Sequence, residues 1–390
     1  MGGRVMIQAV KVEDICQGLF VVELENAKGR LRVNHPGRIH TEKQISQIRG
    51  NGIKVVWVDF NQSDLKNYIP SINQLNTTQL KTTSFEVELK RAESIVTQSK
   101  DLLSKTIDNL YQGKNIDVRP VEELSDNIVC SILSNPDAIQ CVSAIRNKDT
   151  YLLEHSLNVA FLLVNFGRYL GFNKHILKQL AIGGLLHDVG KTQIDDDILH
   201  KPGRLTEEEF EHIKQHQTLS EPIIASMPDL SEMSRQVSLL HHEKLDGSGY
   251  PKGLTGDEIS LVGRMSAIVD IYDALTAARC YKEPLSPAAA FKILRSMAPH
   301  QLDSDLLDKF IWNIGVYPVG SLVELSDGRA GIVWESNESS LLQPMIKCFY
   351  STRHKRYIEV DIVNLAKHKE LVIERGLSLN AENIDPTPYR

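Results

Sequence analysis

The chain of 390 residues carries 44 basic and 50 acidic side chains, a formal net charge of −6. With 42% apolar and 24% charged residues it reads as globular, and its length predicts two or three domains rather than one. That charge excludes a general pull toward a nucleic acid polymer or an anionic membrane, so any phosphate recognition has to be local.

The N-terminal stretch "MGGRVMIQAVKVEDI" has no apolar signal core, and apolar runs such as "AFLLV" fall far short of the ~20 residues of a membrane helix. Cys16, Cys130, Cys141, Cys280 and Cys348 form no CxxC pair, which argues for a reducing compartment and against a zinc–thiolate site. The chain therefore reads as cytoplasmic. Residues 1–77 read as a small mixed module: "LFVVEL" and "IKVVWVDF" as strands, with "TEKQISQIRGNG" between them as a short helix closed by glycine. Residues 78–119 read as an amphipathic helical linker, because Ala92, Ile95, Val96, Leu102, Leu103, Ile107 and Leu110 recur at helical spacing. From 120 to 312 the pattern is almost wholly helical. Residues 313–390 read as a small β appendage and tail: "GSLVELSDGRAGIVWE" is a hairpin around Asp327-Gly328, and "PMIKCFY" and "YIEVDIVNL" add strands. The fold class is α+β, with a helical core between two small modules.

Five polar pieces stand out in the helical stretch. "YLLEHSLNV" places His155 near the start of an apolar helix, and "AIGGLLHDVGK" ends a helix on His187 and Asp188, then Gly190 and Lys191. "LTEEEFEHIKQHQ" opens with a capping box, Thr206 to Glu209, and carries His212 and His216. "VSLLHHEKLDGSGYP" brings His241 and His242, and "RMSAIVDIYDAL" sets Asp270 and Asp273 among aliphatic residues. Taken singly, most have plain readings. A lone histidine such as His155 is more often structural or exposed than a ligand, and His212 with His216 on a charged helix would be a solvated face. Asp270 and the His187–Asp188 doublet resist that reading, because a carboxylate on an apolar face is rarely buried unless it is paired or holds a metal.

Together the candidates are imidazole nitrogens and carboxylate oxygens without a thiolate, a set suited to iron, manganese or zinc. They outnumber what one tetrahedral ion needs. Adjacent residues on a helix diverge by about 100°. A doublet whose members both face the site therefore fits a two-metal centre with one member bridging, of the kind that clamps an in-line phosphoryl displacement.

The series resembles the HD-GYP subfamily of the HD phosphohydrolases over residues 125–340. "HDVGK" resembles the family's HD-x-GK element, and "HHEKLDGSGYPKGL" resembles the segment with the GYP triplet, here Gly249, Tyr250 and Pro251. "KPGRLTEEEF", "DIYDALTAARCYK" and "YPVGSLVEL" match in order and spacing, and residues 1–75 look like an uncharacterised module found ahead of this domain. The resemblance implies a mostly helical HD-type metal-dependent hydrolase core with a binuclear or trinuclear iron or manganese site. It also implies hydrolysis of cyclic di-GMP to linear pGpG, in some members on to GMP, by a metal-bridged hydroxide. Carried over by position, the metal ligands are His155, His187, Asp188, His216, His241, His242 and Asp270, with Asp188 bridging. Lys191 contacts the scissile phosphate, Arg279 and Lys282 grip the phosphates from outside, and the loop with Tyr250 shapes the mouth of the pocket. In the family that loop is also linked to docking of cyclic di-GMP synthases with a GGDEF motif.

Two positions depart from the pattern. Some family members bind a third metal through a glutamate four residues before the first histidine, where this chain has Tyr151. Glu154, next to His155, should point elsewhere by the same 100° argument, so the expectation is two divalent transition ions, iron or manganese, and not three. Cys280 stands beside Arg279 where proline is common. No ligand position is lost, which favours an active enzyme over a non-catalytic cyclic di-GMP receptor. Another cyclic dinucleotide is the alternative substrate. Neither a nucleic acid polymer nor membrane insertion is expected, and a homodimer is left open.

Overall fold

The computed structural model describes residues 7–59, 62–64, 82–112, 116–144, 151–201, 203–277, 284–337, 340, 342–377 and 384–389. Ile7–Lys11 (β1), Phe20–Asn26 (β2), Gly29–Arg38 (β3) and Ile53–Asp59 (β4) form an antiparallel sheet in the order β1-β4-β2-β3. Glu42–Gly50 (α1) enters ahead of β4 and starts on a reciprocal capping box between Thr41 and Gln44. Alternation along β4 buries Val56 and Val58 with Val10 and Val21.

Phe85–Tyr111 (α2) is a 27-residue helix whose buried stripe includes Phe85, Ala92, Ile95, Leu103 and Leu110. It lies against Val118–Ser134 (α3), Pro136–Ser143 (α4) and Tyr151–Tyr169 (α5). Lys174–Leu186 (α6) returns antiparallel along α5 after a tight turn. Gly183 and Gly184 set how closely this hairpin packs. A Cβ at Gly184 would come within 2.7 Å of Ala160 Cα on α5, and one at Gly183 within 2.5 Å of the Val237 side chain. The missing side chains let α6 sit against two helices at once, which brings the first turn of α5 beside the last turn of α6.

Asp196–Leu199 (α7), Glu207–Lys214 (α8), His216–Ala225 (α9) and Glu232–Leu239 (α10), which carries Val237, follow. The expected single helix over "LTEEEFEHIKQHQ" starts on its capping box but breaks at Gln215. That break turns His216 inward at the start of α9 and leaves His212 half-buried on α8. Leu261–Thr276 (α11), Pro287–Met297 (α12) and Ser304–Ile314 (α13) complete the helical core.

Leu322–Leu325 (β5), Arg329–Glu335 (β6), Met345–Ser351 (β7), Arg356–Asn364 (β8) and Ile373–Gly376 (β9) form a second antiparallel sheet, ordered β8-β7-β6-β5-β9. The Asp327-Gly328 turn joins β5 to β6. The sheet is tied to the helices: the Trp334 ring meets Phe85 edge-on at 4.8 Å, and the backbone N–H of Ser336 donates to Asp137 Oδ2 at 2.7 Å. Among the described residues, no helix is long and apolar enough to cross a membrane and no disulfide joins the cysteines.

Candidate metal centre

Four elements deliver the imidazoles. His155 sits in the first turns of α5, His187 caps the end of α6, His216 opens α9, and His241 and His242 follow the end of α10. Both doublets lie where a helix stops, so the 100° divergence of helical neighbours does not govern them. The turn of the chain out of the helix aims both members inward.

Three of these rings are fixed by one local device. Nδ1 donates to the backbone carbonyl three residues earlier: His187 to Gly184 at 2.7 Å, His216 to Ile213 at 2.6 Å and His241 to Ser238 at 2.9 Å. A carbonyl can only accept, so the proton sits on Nδ1 and Nε2 keeps a lone pair directed into the site. His155 does the same toward a carboxylate, with Nδ1 2.7 Å from Asp273 Oδ2.

Asp188 lies between two groups of imidazoles. Its Oδ2 is 3.4 Å from His155 Nε2 and 3.3 Å from His187 Nε2, while Oδ1 is 3.5 Å from His216 Nε2 and 3.9 Å from His241 Nε2. Oδ1 is buried without a hydrogen-bond partner among the described residues. Asp270, from α11, adds Oδ1 at 3.1 Å from His155 Nε2 and Oδ2 at 3.7 Å from His242 Nδ1. Two triads, His155–His187–Asp188 and His216–His241–His242, each bring their donor atoms within 4.8 Å of one another. Inward lone pairs around an unpartnered carboxylate oxygen fit divalent cations, since buried polar atoms otherwise find partners.

Residues 140–306 match the HD domain family, and residues 7–121 match a domain of unknown function, DUF3391. A cyclic di-GMP phosphodiesterase of Pseudomonas aeruginosa is 31% identical over 377 residues, covering 93% of this chain and 90% of that protein. The chain belongs to the HD-GYP family. A 3'3'-cGAMP-specific phosphodiesterase of Vibrio cholerae is 36% identical over 188 residues, 48% of this chain and 43% of that one. Among solved structures, an HDG"Y"P protein from Bdellovibrio bacteriovorus overlays with a TM-score of 0.48 at 16% identity, covering 78% of this chain and 98% of that one.

In this HD-GYP protein the electrostatics suit cation binding. Burial, and then the charge of Lys191, bring His216 down to about 4. Burial also holds His241 and His242 well below the usual imidazole range. His155 goes the other way: burial opposes its charged form, but hydrogen bonds with Asp270 and Asp273 lift it to about 9. Asp188 is held well below the carboxylate range, against its own burial, by His187 and Lys191. Asp270 is lowered in the same way, against burial, by His155 and His242. Ionised carboxylates beside the neutral His216, His241 and His242 are the protonation states a divalent ion requires, whereas His155 has to release a proton when an ion binds.

Lys191 reaches the site from the turn after the doublet and donates to Asp188 Oδ2 at 2.5 Å. Tyr250 stacks on His242, with ring centroids 4.6 Å apart, and burial raises its phenol. Arg279, Cys280 and Lys282 lie outside the described residues, as does the side chain of Tyr151. Glu154 does point elsewhere, accepting from Lys100 of α2 at 2.6 Å.

Sequence reasoning assigned no role to three supporting side chains. Asp273, buried three residues after Asp270 on the same face of α11, orients His155 and also accepts from Asn158 at 3.2 Å. Its i+3 spacing was the available signal. Glu243, 1% exposed, accepts from the backbone N–H groups of Lys252 at 2.8 Å and Leu254 at 2.9 Å, and so clamps the loop that holds Tyr250. Gln217, also 1% exposed, lies against His216 and His241. Glu243 lies inside the "HHEKLDGSGYPKGL" segment, which was its available signal, whereas Gln217 had no periodic or motif signal.

Proposed function

We propose that this chain hydrolyses cyclic di-GMP to linear pGpG, using two divalent transition-metal ions held by His155, His187, Asp188, His216, His241, His242 and Asp270. The observation that carries the two-ion reading is Asp188, whose two oxygens each face a different pair of imidazoles. The substrate reading rests on the likeness to the Pseudomonas enzyme along nearly the whole chain. Bound here, two divalent ions supply an activated water and neutralise charge building on the phosphodiester. Imidazoles with protonated Nδ1 atoms keep the ligand lone pairs in place, and Asp188, ionised throughout the working pH range, spans both positions. Lys191 brings a cation beside the site, where it holds a non-bridging phosphate oxygen. Tyr250, stacked on His242, forms the wall on which a base can lie.

The same reading places Arg279 and Lys282 as phosphate contacts and takes iron or manganese as the ion. It divides the chain into a module (1–77), a helical connector (78–119), the catalytic core (120–312) and a β appendage (313–390), working in the cytoplasm. Cyclic di-GMP synthases with a GGDEF motif would dock at the Tyr250 loop.

A second reading, hydrolysis of another cyclic dinucleotide, is favoured by the likeness of half the chain to the cGAMP-specific Vibrio enzyme. Turnover of cyclic di-GMP and 3'3'-cGAMP under defined iron or manganese loading separates the two. We expect faster release of pGpG, lost in His187→Ala and Asp188→Ala with the helical circular dichroism retained. Preferred cleavage of cGAMP would select the second reading, and tight binding without cleavage would make the chain a receptor.

A further inference from the structure

Gln217 follows His216 in the first turn of α9, yet its side chain returns to the same site. Its amide nitrogen lies 3.1 Å from His216 Nε2 and 3.0 Å from His241 Nε2, while its oxygen is buried with no partner among the described residues. Both imidazoles have their protons on Nδ1, so the amide donates to the two lone pairs that a metal ion would take. When a cation claims those lone pairs, the N–H groups lose both acceptors and the positive end of the amide dipole faces the ion. A half-turn of the carboxamide about its terminal torsion exchanges nitrogen and oxygen and reverses that dipole. The oxygen then stands about 3 Å from two imidazole nitrogens, the spacing of neighbouring donors around an ion roughly 2.0–2.2 Å from each.

We propose that the carboxamide oxygen of Gln217 is a ligand of the ion held by His216 and His241. The assignment rests on the two-ion reading and extends it. With His242 and the Oδ1 atom of Asp188, it gives that ion five protein donors of mixed nitrogen and oxygen type and leaves one position open. A six-coordinate set with a neutral oxygen donor favours manganese or iron(II) over tetrahedral zinc.

The test is a calorimetric titration of metal-free full-length protein with Mn²⁺ and, separately, Zn²⁺, with ion content checked by elemental analysis. The variants are Gln217→Leu, which fills the space without an oxygen, and Gln217→Glu, which keeps one. We expect two Mn²⁺ ions on the wild type. In Gln217→Leu the second should weaken by about 10–100-fold, with the first unchanged and Zn²⁺ affected less, and Gln217→Glu should hold both. Wild-type Mn²⁺ affinities in Gln217→Leu overturn the assignment, as does an equal loss for both metals, which is the mark of a merely structural role. A wild type that binds fewer than two ions overturns the two-ion reading itself.

Discussion

The Nε2 atoms of His155 and His187 face each other at 3.2 Å. The two rings are 32 residues apart in the chain and come together because α5 and α6 form a hairpin with Gly184 against Ala160. Two imidazole lone pairs at that distance repel unless a proton or a metal ion lies beside them. In the metal-free protein the proton is on His155, which Asp270 and Asp273 lift to about 9.

Replacing Asp273 with Asn keeps the volume and removes the charge that holds His155 in its tautomer. Metal affinity and turnover should both fall by about 10–100-fold, with circular dichroism unchanged. Metal titration checks this, and wild-type affinity in the variant would mean that the carboxylate has no orienting role.

Gly190→Ala tests the packing of the turn that carries Asp188 and Lys191. An added Cβ would collide with the backbone carbonyl oxygen of His216 and come within 2.5 Å of Ser220 Oγ and 2.7 Å of Ser220 N. Overpacking of this kind costs about 1–3 kcal/mol, read by denaturant unfolding of the metal-free protein. Activity should be lost with it, since shifting the turn moves the Asp188 carboxylate that lies between the two groups of imidazoles. A variant with normal stability and turnover would show that the contact yields easily.

Glu243→Ala should loosen the Tyr250 loop without touching the ions. The change strands the N–H groups of Lys252 and Leu254, each at a cost of about 1–3 kcal/mol. The expected result is a fall in kcat/KM of at least tenfold, mostly through KM, at unchanged ion stoichiometry. Loss of bound metal instead would place Glu243 in the support of the ligands.

Acid should destabilise the metal-free protein. His216, His241 and His242 are neutral when folded but titrate near 6.5 when unfolded, with His216 at about 4 in the fold. Between those values the unfolded chain binds more protons, so stability is full above pH 6.5 and falls as the pH drops, by about 1.4 kcal/mol per unit for each imidazole. His155 has the opposite sign: its contribution is full below 6.5 and is lost as the pH rises through about 9. Three depressed groups outweigh one raised group in the acid window, so the thermal midpoint of chelated protein should be lower at pH 5 than at pH 7. A midpoint that rises on acidification would contradict the neutral assignment.

The residue types and their order were legible in the chain itself. Polar doublets at the ends of apolar runs, a carboxylate inside "AIVDIY" and the Asp327-Gly328 turn each leave a local mark, because period and turn chemistry are properties of a few consecutive residues. From these came the α+β class and the candidates that resisted a plain reading, Asp270 and the His187–Asp188 doublet; the full set of seven donors came from the resemblance to the HD-GYP family. Their arrangement was not legible. The break at Gln215, the approach of α6 to α5 and α10 across Gly183 and Gly184, and the division of the two Asp188 oxygens between separate imidazoles are all consequences of helix packing. Gln217, Glu243 and Asp273 gain their partners only across such contacts. A one-dimensional pattern records what each residue can donate or accept, and only the packed chain decides which atoms meet.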